Sequence, residues 1–217
     1  MTVKTKELLS EMTEALFRKK AILLIGNTGV GKTYLAKKIS EQLETTKYSC
    51  FPSSTEQTVN VELISCHNSV AYEDVVGGIS ASTELGNMVF EYKNKVLIET
   101  ILRAAADYQA KKGTKYVLIM DDLQRNDVST LLGDAINAIG AEGNEAKLFL
   151  NTGISLEIPA NFYIIGTYNL AETGAIALSS DILSNFIPER YCLTLNTLQK
   201  IYPRKMLFIM IRCEVLY

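Results

Sequence analysis

Residues Gly26-Asn27-Thr28-Gly29-Val30-Gly31-Lys32-Thr33 fit the pattern GxxxxGK(S/T) at every fixed position. An apolar run at residues 21–25 precedes them, and residues 33–43 repeat apolar side chains at helical spacing. Glycines let such a loop turn its backbone N–H groups onto phosphate oxygens, and the helix adds its positive end. Lys32 can then reach the terminal phosphates of a nucleotide, and the Thr33 hydroxyl can ligate Mg²⁺. The alternative is a glycine-rich turn that happens to precede a lysine. Isolated matches of this pattern occur by chance, but seldom between a buried strand and a helix.

Two acids end the apolar run at residues 116–120. Carboxylates at the end of a buried strand are typical of a Walker-B motif, in which Asp121 would hold the magnesium and Asp122 would orient the attacking water. Adjacent residues on a strand point to opposite faces, so both can act only if the strand ends and the chain turns there. The polar residues 124–126 favour such a turn. An acidic strand end that faces solvent is the alternative.

Apolar periodicity divides the remaining chain into helices and short strands. Helices are predicted at residues 4–19, at 95–111 and from an Asp127 N-cap through Ile139, a surface loop at 44–60, strands at 59–65, 162–166 and 190–195, and a β-hairpin at 147–150 and 154–158. Strands separated by helices predict an α/β fold, a three-layer αβα P-loop sandwich around a mostly parallel five-stranded sheet with a hairpin insertion. Such sheets bind ligands at the carboxyl ends of their strands.

Length and composition exclude several other classes of protein. At about 150 residues per domain, a length of 217 allows one domain and a remnant. A net charge of −2 does not favour direct DNA binding, and four cysteines with a single histidine form no zinc pattern, so reduced thiols are expected. No segment reaches the roughly 18–20 apolar residues of a membrane span, and the N-terminus has no signal-peptide core. We therefore expect a cytoplasmic protein that makes no membrane contact.

Beyond the P-loop, three stretches resemble the AAA+ NTPases, and most of all the branch that contains the McrB restriction GTPase and its AAA-5 relatives. AYEDV at residues 71–75 is similar to that branch's SYEDF, DDLQRN at 121–126 to DEINRGN, and FYIIGTYN at 162–169 to NLYIIGTMN. The likeness covers residues 23–195. It implies an ATPase or GTPase that uses Mg²⁺ and drives remodelling within a larger, restriction-type assembly.

The resemblance also assigns residues outside the P-loop. Asn169 corresponds to the sensor-1 residue, which can hydrogen-bond the γ-phosphate and the attacking water. Arg125 matches the arginine of the INRG segment, and Glu172 falls where the branch has an aspartate. The alternatives are that Asn169 closes a turn at the strand end and that Arg125 is a surface residue paired with Asp127.

Three departures from the family pattern bear on activity. Asp122 stands where relatives carry glutamate, and the shorter side chain draws the carboxylate back from the water, which predicts slow hydrolysis. No arginine precedes Phe186, where relatives supply an arginine finger, although Arg190 lies just beyond. We expect residues 1–196 to form the large nucleotide-binding domain and residues 197–217 a short tail, without the helical lid of AAA+ modules.

Four functions remain open from the sequence. The first is an oligomeric, ring-type NTPase that remodels a partner protein or nuclease subunit and meets DNA only indirectly. The second is a regulatory module that binds nucleotide with little hydrolysis. A P-loop kinase and an interaction protein with a vestigial P-loop are the others. ATP is the expected nucleotide and GTP the alternative, since the guanine-specifying NKxD pattern is absent but the McrB group does without it.

Overall fold

The computed structural model describes residues 3–45, 57–84, 87–133, 135–140, 147–149, 155–172, 174–178, 182, 189–194 and 209–212. Its helices are α1 (Val3–Lys19), α2 (Lys32–Gln42), α3 (Tyr72–Val75), α4 (Val96–Gln109), α5 (Val128–Leu132) and α6 (Ala135–Gly140). Its strands are β1 (Ala21–Gly26), β2 (Gln57–Ser65), β3 (Gly77–Glu84), β4 (Asn87–Asn94), β5 (Gly113–Asp121), β6 (Lys147–Phe149), β7 (Ser155–Glu157), β8 (Phe162–Asn169), β9 (Glu189–Thr194) and β10 (Ile209–Arg212). Within these residues, no helix is both long and apolar enough to cross a bilayer.

The main sheet has the strand order β10-β9-β1-β8-β5-β2. Its five strands from β9 to the edge strand β2 run parallel, which confirms the predicted α/β fold class. The sixth strand, β10, pairs antiparallel with β9 and was not predicted. It lies in the segment expected to be a tail, where a short apolar run without helical periodicity gave no basis for assigning a strand.

Each central strand is buried on both faces because helices cover the sheet on both sides. Leu23, Leu118 and Ile164 point into one core with side chains of α3, α4, α5 and α6. The alternating residues, such as Leu24 and Ile165, point into a second core with α1 and α2. Continuous apolar runs are the pattern that such strands require, and they produce the three layers.

The strand register places the candidate site residues at one edge of the sheet. Gly26 at the end of β1 lies opposite Asn169 at the end of β8. Met120 of β5 lies opposite Gly166 of β8, so Asp121 follows beside Thr167, two residues before Asn169. The P-loop, the two acids and the sensor-1 candidate therefore meet where parallel strands bind ligands.

The hairpin β6–β7 confirms the prediction for this region, although residues 150–154 lie outside the described part of the chain. A second hairpin, β3–β4, and the short helix α3 lie between residues 65 and 95, where no element is predicted from the sequence. Ile79 and Phe90 of this hairpin are 76% and 65% exposed, so its pairing does not rest on burial in the core. The loop predicted at 44–60 ends before Gln57, where β2 begins, and residues 46–56 are not described.

The helix predicted to run from Asp127 to Ile139 is broken at Gly133. The Asp127 side chain caps α5 as expected, accepting a hydrogen bond from the Ser129 N–H at 3.1 Å. Gly133 then has φ 51° and ψ −133°, which ends α5 before α6 begins. Only glycine adopts this conformation without strain. The apolar periodicity therefore predicted helical residues correctly, but the prediction of one continuous helix was wrong.

We predict that Gly133→Ala lowers the free energy of unfolding by about 1–3 kcal/mol, because the backbone is strained and a Cβ there would meet the Tyr72 ring at 3.1 Å. Gly174→Ala is the matched control, since Gly174 also has a positive φ but open space at its Cβ position. Urea unfolding of both variants measures the difference. An equal loss in both would show that the contact with Tyr72 contributes nothing.

Candidate functional site

The P-loop connects β1 to α2 through two glycines in left-handed conformations. Gly29 has φ 78° and Gly31 has φ 77°. Gly31 directly precedes the first residue of α2, so the loop delivers its backbone to the positive end of that helix. A side chain at either glycine would be strained, which explains the fixed glycine of the pattern at position 31 and favours glycine at the variable position 29. The resulting cradle suits the phosphates of a nucleotide.

The Lys32 side chain folds back over the loop. Its Nζ donates hydrogen bonds of 3.0 Å to the carbonyl oxygens of Gly26 and Asn27, and the residue is only 7% exposed. Burial lowers the pKa of Lys32, an effect that three nearby carboxylates oppose. They belong to Asp122, Asp121 and Glu172. A phosphate would offer this ammonium group a charged partner in place of the neutral carbonyls.

Asp121 joins α2 to β8 through its carboxylate. The hydroxyl groups of Thr33 and Thr167 each donate a hydrogen bond of 2.7 Å to Asp121 Oδ1. The predicted metal ligands, Thr33 and Asp121, are thus in direct contact. Hydroxyl and carboxylate oxygens are the donors that Mg²⁺ prefers, so these residues fit that ion.

No group of three or more His, Cys, Asp or Glu side chains in the described part of the chain could hold a metal by itself. Magnesium in phosphate sites is bound by one or two protein ligands together with water and substrate phosphates. The pair formed by Thr33 and Asp121 therefore suits a metal that arrives with a nucleotide. It does not suit a structural metal held by the protein alone.

Asp122 turns away from the strand through an unusual backbone conformation. Its φ is 59° and its ψ is 49°, a left-handed geometry that aspartate tolerates better than most residues. Its N–H donates a hydrogen bond of 2.9 Å to Thr167 Oγ1. The strand thus ends at Asp121, and the turn that the sequence required for both acids to serve one site is present.

Asn169 bonds to the P-loop and to its own turn at the same time. Its Nδ2 donates to the Thr28 hydroxyl, while its Oδ1 accepts a hydrogen bond of 3.2 Å from the Ala171 N–H. The bond to the Ala171 N–H is the turn contact that the sequence offered as the alternative, and the sensor-1 role stays a prediction. The side chain stands between the P-loop and the end of β8, where it could contact a terminal phosphate.

Arg125 pairs with acids other than the Asp127 considered from the sequence. Its Nε donates to Glu172 Oε1 at 2.7 Å, and its guanidinium lies 3.6 Å from the Asp122 carboxylate. Hydrogen bonds from Gln124 and then Arg125 hold the pKa of Glu172 below its usual value. Glu172 therefore stays ionised at neutral pH, and the charge of Arg125 is already matched within the chain.

Sequence reasoning missed two residues of this site, Thr167 and Gln124. Both are completely buried, and both bridge β8 to the turn after β5. The available signal was a polar residue within an apolar strand, as Thr167 is, because a buried hydroxyl needs partners.

Arg190 lies in β9, but its side chain and Phe186 are outside the described residues.

Cys66 is a buried free thiol directly beside the site. Its N–H donates a hydrogen bond of 2.8 Å to the backbone oxygen of Asp121. Burial, together with the charges of Asp121 and Asp122, raises the pKa of Cys66 to about 12. The thiol therefore stays protonated at neutral pH and is no nucleophile, as expected for a structural cysteine.

Comparison with known proteins agrees with this geometry. The sequence profile of the family described as "AAA domain (dynein-related subfamily)" matches residues 21–186. No protein of curated function matches the chain significantly. Among 138 matching chains of solved structures is a "putative ATPase" from Cytophaga hutchinsonii, 14% identical, with a TM-score of 0.54. The match covers 92% of this chain and 51% of the Cytophaga protein, so this chain spans about half the length of that protein.

We predict that Thr167→Val lowers the free energy of unfolding by about 2–3 kcal/mol, since it leaves the Asp121 carboxylate and the Asp122 N–H short of a partner. Thr167→Ser keeps the hydroxyl and loses a methyl group, for a loss of about 1 kcal/mol. Urea unfolding distinguishes the two. A loss of stability in Thr167→Ser with none in Thr167→Val would show that the methyl group and not the hydroxyl stabilises this position.

Proposed function

The chain belongs to the AAA domain family, in its dynein-related subfamily, and on that premise we propose that it is a nucleoside-triphosphatase that binds and hydrolyses Mg-ATP. The observation that carries this proposal is the contact of Thr33 with Asp121 beside a buried Lys32. A metal ligand from the P-loop helix and one from the Walker-B strand meet there. This arrangement is the one that phosphoryl transfer from a P-loop-bound nucleotide needs.

Each residue then has a distinct role in the proposed reaction. Lys32 binds the terminal phosphates and offsets their charge. Thr33 and Asp121 would hold Mg²⁺, which would neutralise charge developing on the phosphate oxygens. Asp122 accepts a hydrogen bond from the attacking water, and Asn169 orients that water against the γ-phosphate. The new P–O bond forms to the water oxygen as the bond to the bridging oxygen breaks, which releases nucleoside diphosphate, phosphate and the proton that the water loses.

We propose further that the chain is related to the McrB-like branch and that residues 1–196 form the nucleotide-binding domain. The second of the three stretches that carry the resemblance is hydrogen-bonded to the third and to the residue just before the first. Thr167 Oγ1 donates to Asp121 Oδ1, and Asn126 Nδ2 donates to the Val70 carbonyl. In this proposal the chain acts in a ring of copies within a restriction-type assembly, with a partner protein or nuclease subunit.

A regulatory module with little hydrolysis is the second candidate, and the engagement of Asp122 favours it. Its carboxylate accepts a hydrogen bond from Gln124 at 3.2 Å and lies near Arg125, so it is less available to a water. Tight Mg-nucleotide binding without turnover would support this candidate.

We predict that phosphate release from Mg-ATP falls by at least about 10²-fold in Lys32→Ala, because the variant loses the cation that meets the terminal phosphates. Lys37→Ala is the control, since Lys37 is an exposed lysine of the same helix. The assay is run over a range of protein concentrations, because a ring would supply residues from a neighbouring copy. Turnover no higher than in Lys32→Ala at every concentration would exclude the enzyme.

A competition titration identifies the nucleotide. We expect ATP to displace a fluorescent nucleotide from the protein at lower concentration than GTP, because the chain lacks a guanine-specifying NKxD pattern. Lys32→Ala again serves as the control for specific binding. Preferential displacement by GTP would instead support the McrB-like placement.

A further inference from the structure

Gln124 is a buried side chain that joins two loops of the site. It is 0% exposed, although glutamine is ordinarily a surface residue. Its Oε1 accepts a hydrogen bond of 2.9 Å from the backbone N–H of Asn169. Its Nε2 donates one of 3.2 Å to Asp122 Oδ1 and another to Glu172 Oε2. The amide thus spans the gap between the water-orienting carboxylate and the sensor-1 strand end.

The orientation of this amide follows from its partners. The backbone N–H of Asn169 can only donate, so the oxygen of Gln124 must face it. The nitrogen then faces two carboxylates and has two protons, one for each. Every polar atom of the Gln124 side chain is used, and all of its partners belong to the two loops. A side chain of different length would leave at least one of them without its bond.

We propose that Gln124 is a positioning residue that sets the distance between Asp122 and Asn169. The proposal rests on the function proposed above. Because Gln124 Nε2 donates to the Asp122 carboxylate while Gln124 Oε1 accepts from the Asn169 N–H, the two side chains together span the gap between the turn and the end of β8. A longer acid combined with a shorter amide keeps their combined length. Asp122 and Gln124 therefore act as a matched acid–amide pair.

The experiment compares four proteins: the wild type, Asp122→Glu, Gln124→Asn and the double variant. We expect kcat to fall by about 10-fold to 10²-fold in each single variant with KM little changed, since a displacement of about 1 Å in a catalytic group has that effect. The double variant recovers most of the lost kcat. Gln109→Asn makes the same chemical change at an exposed helix position and serves as the control.

Two further readouts separate this proposal from the proposed function. The first is the ratio of affinities for a non-hydrolysable triphosphate analogue and the diphosphate, which reports whether Asn169 is placed against the γ-phosphate. We expect the ratio to fall in both single variants and to recover in the double. The second is urea unfolding of the same four proteins without nucleotide, which also reports whether each variant folds. There the two substitutions are expected to be non-additive, the double being more stable than the sum predicts.

Several results would overturn the proposal. A rise in kcat for Asp122→Glu alone would show that the aspartate is simply a poor substitute for glutamate. Wild-type behaviour of Gln124→Asn would show that the amide positions nothing. Additive losses in the double variant would exclude a matched pair. If the wild type binds nucleotide without hydrolysing it, the proposed hydrolysis fails while the affinity ratio decides about Gln124. If no nucleotide binds, the urea unfolding measurements decide about Gln124: additive stability losses of the two substitutions would overturn the proposal.

Discussion

The carboxylate of Asp121 imposes the strictest requirement on this structure, because it lies at the end of a strand that is buried along most of its length. A carboxyl group at such a place needs hydrogen bonds, and two hydroxyl groups supply them. One comes from the first turn of α2 and the other from β8. Helix α2 and strand β8 are therefore tied to strand β5 through a single oxygen atom, Asp121 Oδ1.

The position of the second acid, Asp122, depends on the Thr167 hydroxyl, which also binds Asp121. Thr167 Oγ1 donates to Asp121 and accepts from the N–H of Asp122, so one hydroxyl holds the last residue of β5 and the first residue of the turn. The left-handed backbone at Asp122 persists because this bond and the bond from Gln124 surround it. Neighbouring residues that would point apart on a continuous strand thus serve one site, in different environments and with different tasks.

The sequence predicted those parts of the fold and the site that depend on local patterns. The P-loop, the two acids and Asn169 are short motifs, and the buried strands have continuous apolar runs. Thr167 and Gln124 could not be assigned, because their partners lie 46 and 45 residues away in sequence and become neighbours only when β5 pairs with β8. The hairpin β3–β4 was missed since its apolar residues remain exposed, and the break at Gly133 since periodicity does not report continuity.

The arrangement of these bonds determines how the site can respond to a substrate. Asn169 contacts the P-loop through its side chain and Gln124 through its backbone, so its side chain can exchange the Thr28 hydroxyl for a phosphate oxygen while the strand end stays fixed. Asp122 and Glu172 share the Gln124 amide, and Arg125 offsets their negative charge. The backbone positions are set before a nucleotide arrives, so little reorganisation is needed when charge develops on the phosphate. Fixed dipoles stabilise a transition state most under this condition.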